Sequence, residues 1–412
     1  MKKRIFLPVF YILFLLLAQA VFCAPNVIPL GKVENYLQNQ WSTLPPEGLE
    51  RGGKKPWQLI LVMNNPEYLK WGAVDDNRKA IENQIAKGNI KRAAILYVRD
   101  DGSTYLTVFP SNEQWRADRL NTSDTPEYNY VKLDNTGLSE RDVYAKLFKI
   151  FDTDGYYTAL VLDMHGDGSN VTSFIGYFKY HKIAPVEFIS SLAASGLTVD
   201  LVDWNSCYMG SIGNMYDLFS STKTRYALVH SNSGVDQQTK YQTNNVNGRE
   251  EKVHGSIGAH PIIGALEGTP KQAATKLFEN AGVSTTASFV HNAFVVDGDY
   301  FRSNTMPLVK EWTADLKDSG LPLDFKSDAN GFPATWFTDY LRQLSNDYNT
   351  PYGLKSKSAK LLGQVNNSIL MYNCWDSSTS TLYNKISSVP SSSRCIGGFS
   401  IETLPGRARS LW

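Results

Sequence analysis

At 412 residues, 42% of them hydrophobic and 20% charged, the chain is too apolar and too mixed to be disordered, and it has no collagen-like or low-complexity bias. That length allows about two average domains, or one α/β domain of roughly 250 residues with additions, and a core that needs no disulfide or metal support. Lys and Arg number 41 against 40 Asp and Glu, a formal charge of +1, which excludes general electrostatic binding to nucleic acid or an anionic membrane.

The N-terminus has the pattern of an export signal. Lys2, Lys3 and Arg4 precede an apolar run from Ile5 to Leu17, and Ala18-Gln19-Ala20 offers a signal-peptidase site. A cut after Cys23, with Val21 at −3, is the alternative. The run, about 13 residues, is shorter than the ~20 that a bilayer span requires. Residues 1–23 are expected to be a signal peptide. The mature protein is expected to be periplasmic or secreted, with no stable membrane insertion after signal removal. Once Cys23 is removed, Cys207, Cys374 and Cys395 remain. Cys374 and Cys395 lie close enough in sequence to pair. Cys207 is then an odd thiol, either reactive or buried and inert.

Residues 24–55 read as an irregular segment ending in Arg51-Gly52-Gly53-Lys54-Lys55. From residue 57 apolar strands alternate with amphipathic helices. WQLILVM (57–63) is a continuous apolar run of the buried-strand type, and 73–86 has helical spacing with Val74, Ile81 and Ile85 on one side. Strands are predicted at 93–98 and 105–109, split by the turn Asp100-Asp101-Gly102. A helix over 139–151 has Ser139 as N-cap. Then follow a strand at 157–163, a helix at 185–194, a strand at 198–203, a helix at 209–219 and a strand at 225–230. This β-α-β succession predicts a mostly parallel sheet covered by helices on both faces. The polar stretch 234–270 reads as a long loop. It is followed by a helix at 270–279, a strand at 289–296, helices near 306–316 and 335–344, and a Ser/Thr-rich loop at 377–393.

In an open parallel sheet, ligands gather at the carboxyl ends of the strands. Two of the buried strands end in reactive chemistry. YTALVLD runs into Met164-His165-Gly166-Asp167-Gly168, and TVDLVD runs into Trp204-Asn205-Ser206-Cys207. A thiol directly before a helix is biased toward thiolate by the macrodipole, and His165 on the neighbouring strand end is placed to hold or deliver a proton. Gly166 admits close approach of a backbone N–H to an oxyanion, and the N–H of Cys207 is the second donor. A metal reading of Asp163, His165 and Asp167 lacks further ligands at usable spacing, so no metal is assigned. Asp152-Thr153-Asp154-Gly155 has half the look of a calcium loop, lacks the remaining ligands and reads as a turn.

These motifs resemble the clostripain family of cysteine peptidases, within the caspase, legumain and gingipain group. The likeness runs through Pro56-Trp57-Gln58-Leu59-Ile60-Leu61-Val62-Met63-Asn64-Asn65, through Leu160 to Gly168 and through Asp203 to Ser211, with weaker support at Gly397-Gly398-Phe399-Ser400-Ile401. It implies a caspase-like three-layer α/β/α sandwich with a mostly parallel central sheet and C-terminal additions. The peptidase domain would span about 56–405, followed by a tail at 406–412. It also implies a cysteine endopeptidase acting on protein or peptide substrates, with Cys207 as nucleophile, His165 as acid/base, and Gly166 and Cys207 as oxyanion donors. The family usually carries Asp two residues before the nucleophile, where it reads a basic P1 side chain in the S1 pocket. This chain has Asn205 there, and a neutral amide forms no charge-assisted pair with a guanidinium. Asp236 is the candidate replacement acid, with a solvated loop Asp as its alternative. Some members self-cleave at a basic residue between the His and Cys motifs, an interval that here contains Lys179 and Lys182. Some respond to calcium; no other cofactor is implied. The rival function is a non-catalytic binding or adhesion protein on the same fold, and a third is another hydrolase or transpeptidase using the same dyad.

Overall fold

The computed structural model describes residues 27–42, 44, 55–63, 73–98, 103–111, 131–163, 184–206, 209–230, 241–246, 249–254, 260–279, 293–321, 335–376, 381–383 and 399–401. Residues 1–23, expected to be a signal peptide, lie outside these residues. No helix among those described is long and apolar enough to cross a membrane.

The strands are β1 (Val27–Pro29), β2 (Trp57–Met63), β3 (Ile90–Val98), β4 (Thr104–Phe109), β5 (Val131–Asp134), β6 (Tyr157–Asp163), β7 (Leu201–Asn205), β8 (Tyr226–His230), β9 (Tyr241–Val246), β10 (Arg249–His254), β11 (Ala293–Asp297), β12 (Ile369–Asp376) and β13 (Thr381–Tyr383). The helices are α1 (Val33–Gln40), α2 (Ala73–Ala86), α3 (Glu140–Ile150), α4 (Pro185–Ser195), α5 (Ile212–Ser221), α6 (His260–Ala265), α7 (Pro270–Glu279), α8 (Met306–Asp318), α9 (Phe337–Asn346) and α10 (Tyr352–Ser368). A 3₁₀ turn (Leu30–Lys32) precedes α1, and a π-helical turn (Phe301–Thr305) leads into α8.

Eleven strands form one sheet in the order β1-β5-β4-β3-β2-β6-β7-β8-β11-β12-β13. Its centre, β3-β2-β6-β7-β8, is wholly parallel, and the antiparallel pairs lie toward the two edges. Side chains alternate across the strands, so continuous apolar runs fill two cores. Ile60, Val62, Leu160, Leu162, Val202 and Trp204 belong to one core, capped by α1, α3, α4, α5, α8, α9 and α10. Leu59, Leu61, Met63, Ala159, Val161, Leu201 and Leu228 belong to the other, capped by α2, α6 and α7. The result is a three-layer α/β/α sandwich, as expected.

Local signals placed several elements accurately. Ser139 caps α3, its Oγ accepting from Asp142 N at 3.2 Å. Gly196, at φ 75°, ends α4 in the left-handed region and turns the chain back toward β7. Elsewhere the structure departs from the sequence-based expectation. Residues 27–40, within the 24–55 stretch expected to be irregular, form β1, the 3₁₀ turn and α1. This segment is docked by long-range contacts: β1 pairs with β5, Trp41 Nε1 donates to Phe109 O at 3.2 Å, and the Arg92 guanidinium lies 5.0 Å from the Trp41 ring and 4.4 Å from that of Tyr156. The expected loop at 234–270 contains the antiparallel β9–β10 hairpin and α6, and 377–393 contains β13. The expected turn at 152–155 is a turn, with Gly155 N donating to Thr153 Oγ1 at 3.4 Å.

Candidate active site at the carboxyl ends of β6 and β7

β6 and β7 are adjacent and parallel, with Val161 opposite Asp203, Leu162 opposite Trp204 and Asp163 opposite Asn205. Both strands therefore end at one level, two residues before His165 and two before Cys207. β7 extends two residues further than its apolar pattern predicts. It ends in a tight turn, Ser206 N donating to Trp204 O at 2.7 Å, which redirects the chain just before Cys207.

Beyond Cys207 the structure differs from the expected helix. Met209 and Gly210 remain outside α5, which begins at Ile212 with Ser211 as N-cap, its Oγ accepting from Asn214 N at 3.1 Å. The helix N-terminus is thus displaced from Cys207 by several residues, and macrodipole stabilisation of a thiolate fades within the first turn. The structure puts a clamp there instead. Gly210 N donates to His230 O at 2.8 Å, Ser400 N donates to Gly210 O at 3.1 Å, and Ile212 N donates to Ser400 O at 2.9 Å. Asn214 Nδ2 adds a bond to Met209 O at 3.3 Å. Ser400, 190 residues downstream of Gly210 in sequence, reaches this segment through the backbone pairing.

On the face covered by α2, α6 and α7, the carboxyl ends of four neighbouring strands present Met63, Asp163, Asp203 and His230. All four are buried. The Asn77 amide of α2 donates to Met63 Sδ at 3.6 Å. Burial pushes the Asp203 carboxyl well above the usual carboxylate range, and the nearby Asp163 adds to the shift. Sequence reasoning weighed Asp163 only as a metal ligand beside His165 and Asp167, without assigning one, and read Asp203 as a strand residue; the available signal was an acid at the end of each apolar run, LVLD and LVD. Among the described residues no group of His, Cys, Asp and Glu is arranged to hold a metal ion.

Of the predicted site residues, the structure places Asn205 as the last residue of β7, with its backbone opposite Asp163. His165, Gly166, Cys207 and Asp236 lie outside the described residues, as do Lys179, Lys182 and Cys395. Cys374 lies on β12, in register with Tyr383.

No protein-family model and no curated protein matches the chain. Among solved structures, it is similar to a secreted C11 cysteine protease from Bacteroides thetaiotaomicron, "iotapain", at 13% identity and TM-score 0.48 over 85% of this chain and 92% of that one. It is similar to an inactive zymogen C11 protease from Parabacteroides distasonis at 14% identity and TM-score 0.49, over 86% and 93% of the two chains. It is also similar to a clostripain from Bacteroides thetaiotaomicron ATCC 29148 bound to a peptide inhibitor, at 15% identity and TM-score 0.32, over 57% and 91%.

Proposed function

We propose that the chain is an exported cysteine endopeptidase that hydrolyses peptide bonds through His165 and Cys207, carried on a clostripain-like domain at about 56–405. The observation that supports this is the pairing of β6 with β7. Adjacent parallel strands lie about 4.8 Å apart. With Asp163 opposite Asn205, the chain continues from two neighbouring, level strand ends into His165 and Cys207. A nucleophile and an acid/base must share one substrate bond, and adjacent strand ends meet that requirement.

In this reading the Cys207 thiolate attacks the scissile carbonyl, and the N–H groups of Gly166 and Cys207 hold the oxyanion. His165 protonates the departing amine, and water then releases the acyl group from Cys207. Asn205 stands two residues before the nucleophile in sequence, in place of the acid that would read a basic P1 residue, and Asp236 is proposed to supply the missing charge. The segment before residue 24 directs export.

The test is cleavage of a peptide library by the mature protein under reducing conditions, wild type against Cys207→Ala. Cleavage that disappears in the variant supports the dyad, and a P1 profile dominated by Arg or Lys supports Asp236 in S1. Cleavage retained by Cys207→Ala overturns the mechanism. Wild type that cleaves nothing, with or without calcium and prior proteolysis, favours the non-catalytic binding protein.

A further inference from the structure

The chain is anchored on both sides of Cys207. Ser206 is fully buried, and its N–H donates to Trp204 O at 2.7 Å. Met209 is also fully buried, and its carbonyl accepts from Asn214 Nδ2 at 3.3 Å. Cys207 and Tyr208 are the two residues between these anchors. The N–H that the proposed mechanism gives to the oxyanion belongs to the first of them. The course of the backbone from 206 to 209 therefore sets where that donor points.

Neither packing nor helix capping accounts for the Asn214 side chain. α5 sends Ile212, Met215, Leu218 and Phe219 into the apolar core, while Asn214 and Asp217 are its buried polar residues. Alanine or leucine would favour the helix more, and a buried amide costs free energy unless it is hydrogen-bonded. The cap of α5 is already made, by Ser211 Oγ accepting from Asn214 N at 3.1 Å. A helix start leaves N–H groups unpaired, whereas the Asn214 amide serves a carbonyl three residues before α5 begins. It reaches back five residues to a point two residues after Cys207. Beyond that point Gly210 is held through backbone bonds to His230 O and from Ser400 N. Asn214 thus supplies the side-chain hold nearest the nucleophile in a run of anchored residues.

We propose that Asn214 is a positioning residue for the peptidase reaction: by holding Met209 O it fixes the backbone that aims the Cys207 N–H at the oxyanion. The catalytic consequence rests on the dyad proposed above; the hold on Met209 does not. An oxyanion bond forms only in the transition state, so a displaced donor lowers kcat and leaves substrate binding alone.

Asn214→Ala and Asn214→Leu in the full mature chain, assayed well below their melting temperatures, test the role. Leucine fills the buried position and favours the helix but cannot donate, so it separates positioning from stability. Both variants are expected to lose about tenfold to a hundredfold in kcat, the effect of misplacing reacting groups by up to about 1 Å. KM is expected to stay within about twofold of wild type. Hydrogen exchange reads the hold without activity: the Gly210 and Ile212 amides should exchange about tenfold faster in both variants, while amides in the body of α5 keep their wild-type rates. If exchange at Gly210 and Ile212 is unchanged, or rises equally along all of α5, the hold is overturned whatever Cys207→Ala shows. If exchange shifts as expected while an active dyad keeps its wild-type kcat, or loses only in KM, the positioning role is overturned. Cleavage retained by Cys207→Ala, or absent from wild type, removes the catalytic role together with the dyad, and the exchange rates still decide the hold.

Discussion

Gly210 occupies a position with no room for a side chain. A Cβ built there would lie 2.8 Å from His230 O and 2.9 Å from the Phe294 ring, and the first of these is backbone that cannot turn aside. The missing side chain is what lets the segment after Cys207 approach the end of β8 closely enough for Gly210 N to bond His230 O. Gly210→Ala is therefore expected to destabilise the protein by about 1–3 kcal/mol, the usual range for overpacking. It should also lower the rate of Cys207 alkylation by iodoacetamide, because the displaced backbone leads directly to the thiol. Urea unfolding and timed alkylation measure the two effects. Asp203 poses the complementary problem at this scale, a polar group where the packing is apolar.

Among the elements, the α3–α4 pair is sensitive to pH. Glu140 opens α3, and Glu187 in the first turn of α4 accepts from Ala184 N at 3.0 Å. Partial burial, reinforced by Glu187 and opposed by Tyr144, pushes the Glu140 carboxyl up to about 7 from 4.5. A carboxyl raised in the folded state stabilises the protein while protonated, and that contribution is lost as pH rises from about 4.5 through 7. The linked change is about 2–3 kcal/mol at 1.36 kcal/mol per unit, allowing for partial exposure. Glu140→Gln is expected to flatten the fall in urea midpoint between pH 5 and 8 while leaving the midpoint at pH 4.5 near wild type. An unchanged slope would remove Glu140 from the account. Each helix leads into the amino end of a central strand, α3 into β6 and α4 into β7, so both helices begin near the level where those strands end.

At the scale of the whole molecule, one core runs from Leu30 to Ile401, and the C-terminal residues are structural parts of the site. Phe399 is fully buried, with its ring 4.9 Å from Phe294 and 6.1 Å from Phe301, while the next residue clamps Gly210 and Ile212. Phe399→Ala is expected to cost about 3–5 kcal/mol, the range for large buried aromatics. Because Ser400 reports directly to the segment after Cys207, peptide cleavage should fall together with the unfolding midpoint. A variant that loses stability and keeps wild-type cleavage at low temperature would separate Phe399 from the site.

The sequence by itself determined the central strands and several of the helices beside them. WQLILVM and YTALVLD announce burial on both faces, Ser139 marks a helix start by local chemistry, and His165 and Cys207, the proposed dyad, follow two of the strands closely in sequence. These signals are local, carried by spacing and by neighbours within a turn or two. Only the tertiary structure decided what depends on distant partners. Residues 27–42 are held by contacts with β5, Phe109 and Arg92, and the polar stretches 241–246 and 249–254 pair as antiparallel strands. The segment around Gly210 stays out of α5 because His230 and Ser400 take its backbone hydrogen bonds. Asp163 and Asp203 stand in separate apolar runs, and a single run does not reveal its neighbour. Strand order and register put them on one buried face of adjacent strands, where loss of hydration raises the Asp203 carboxyl.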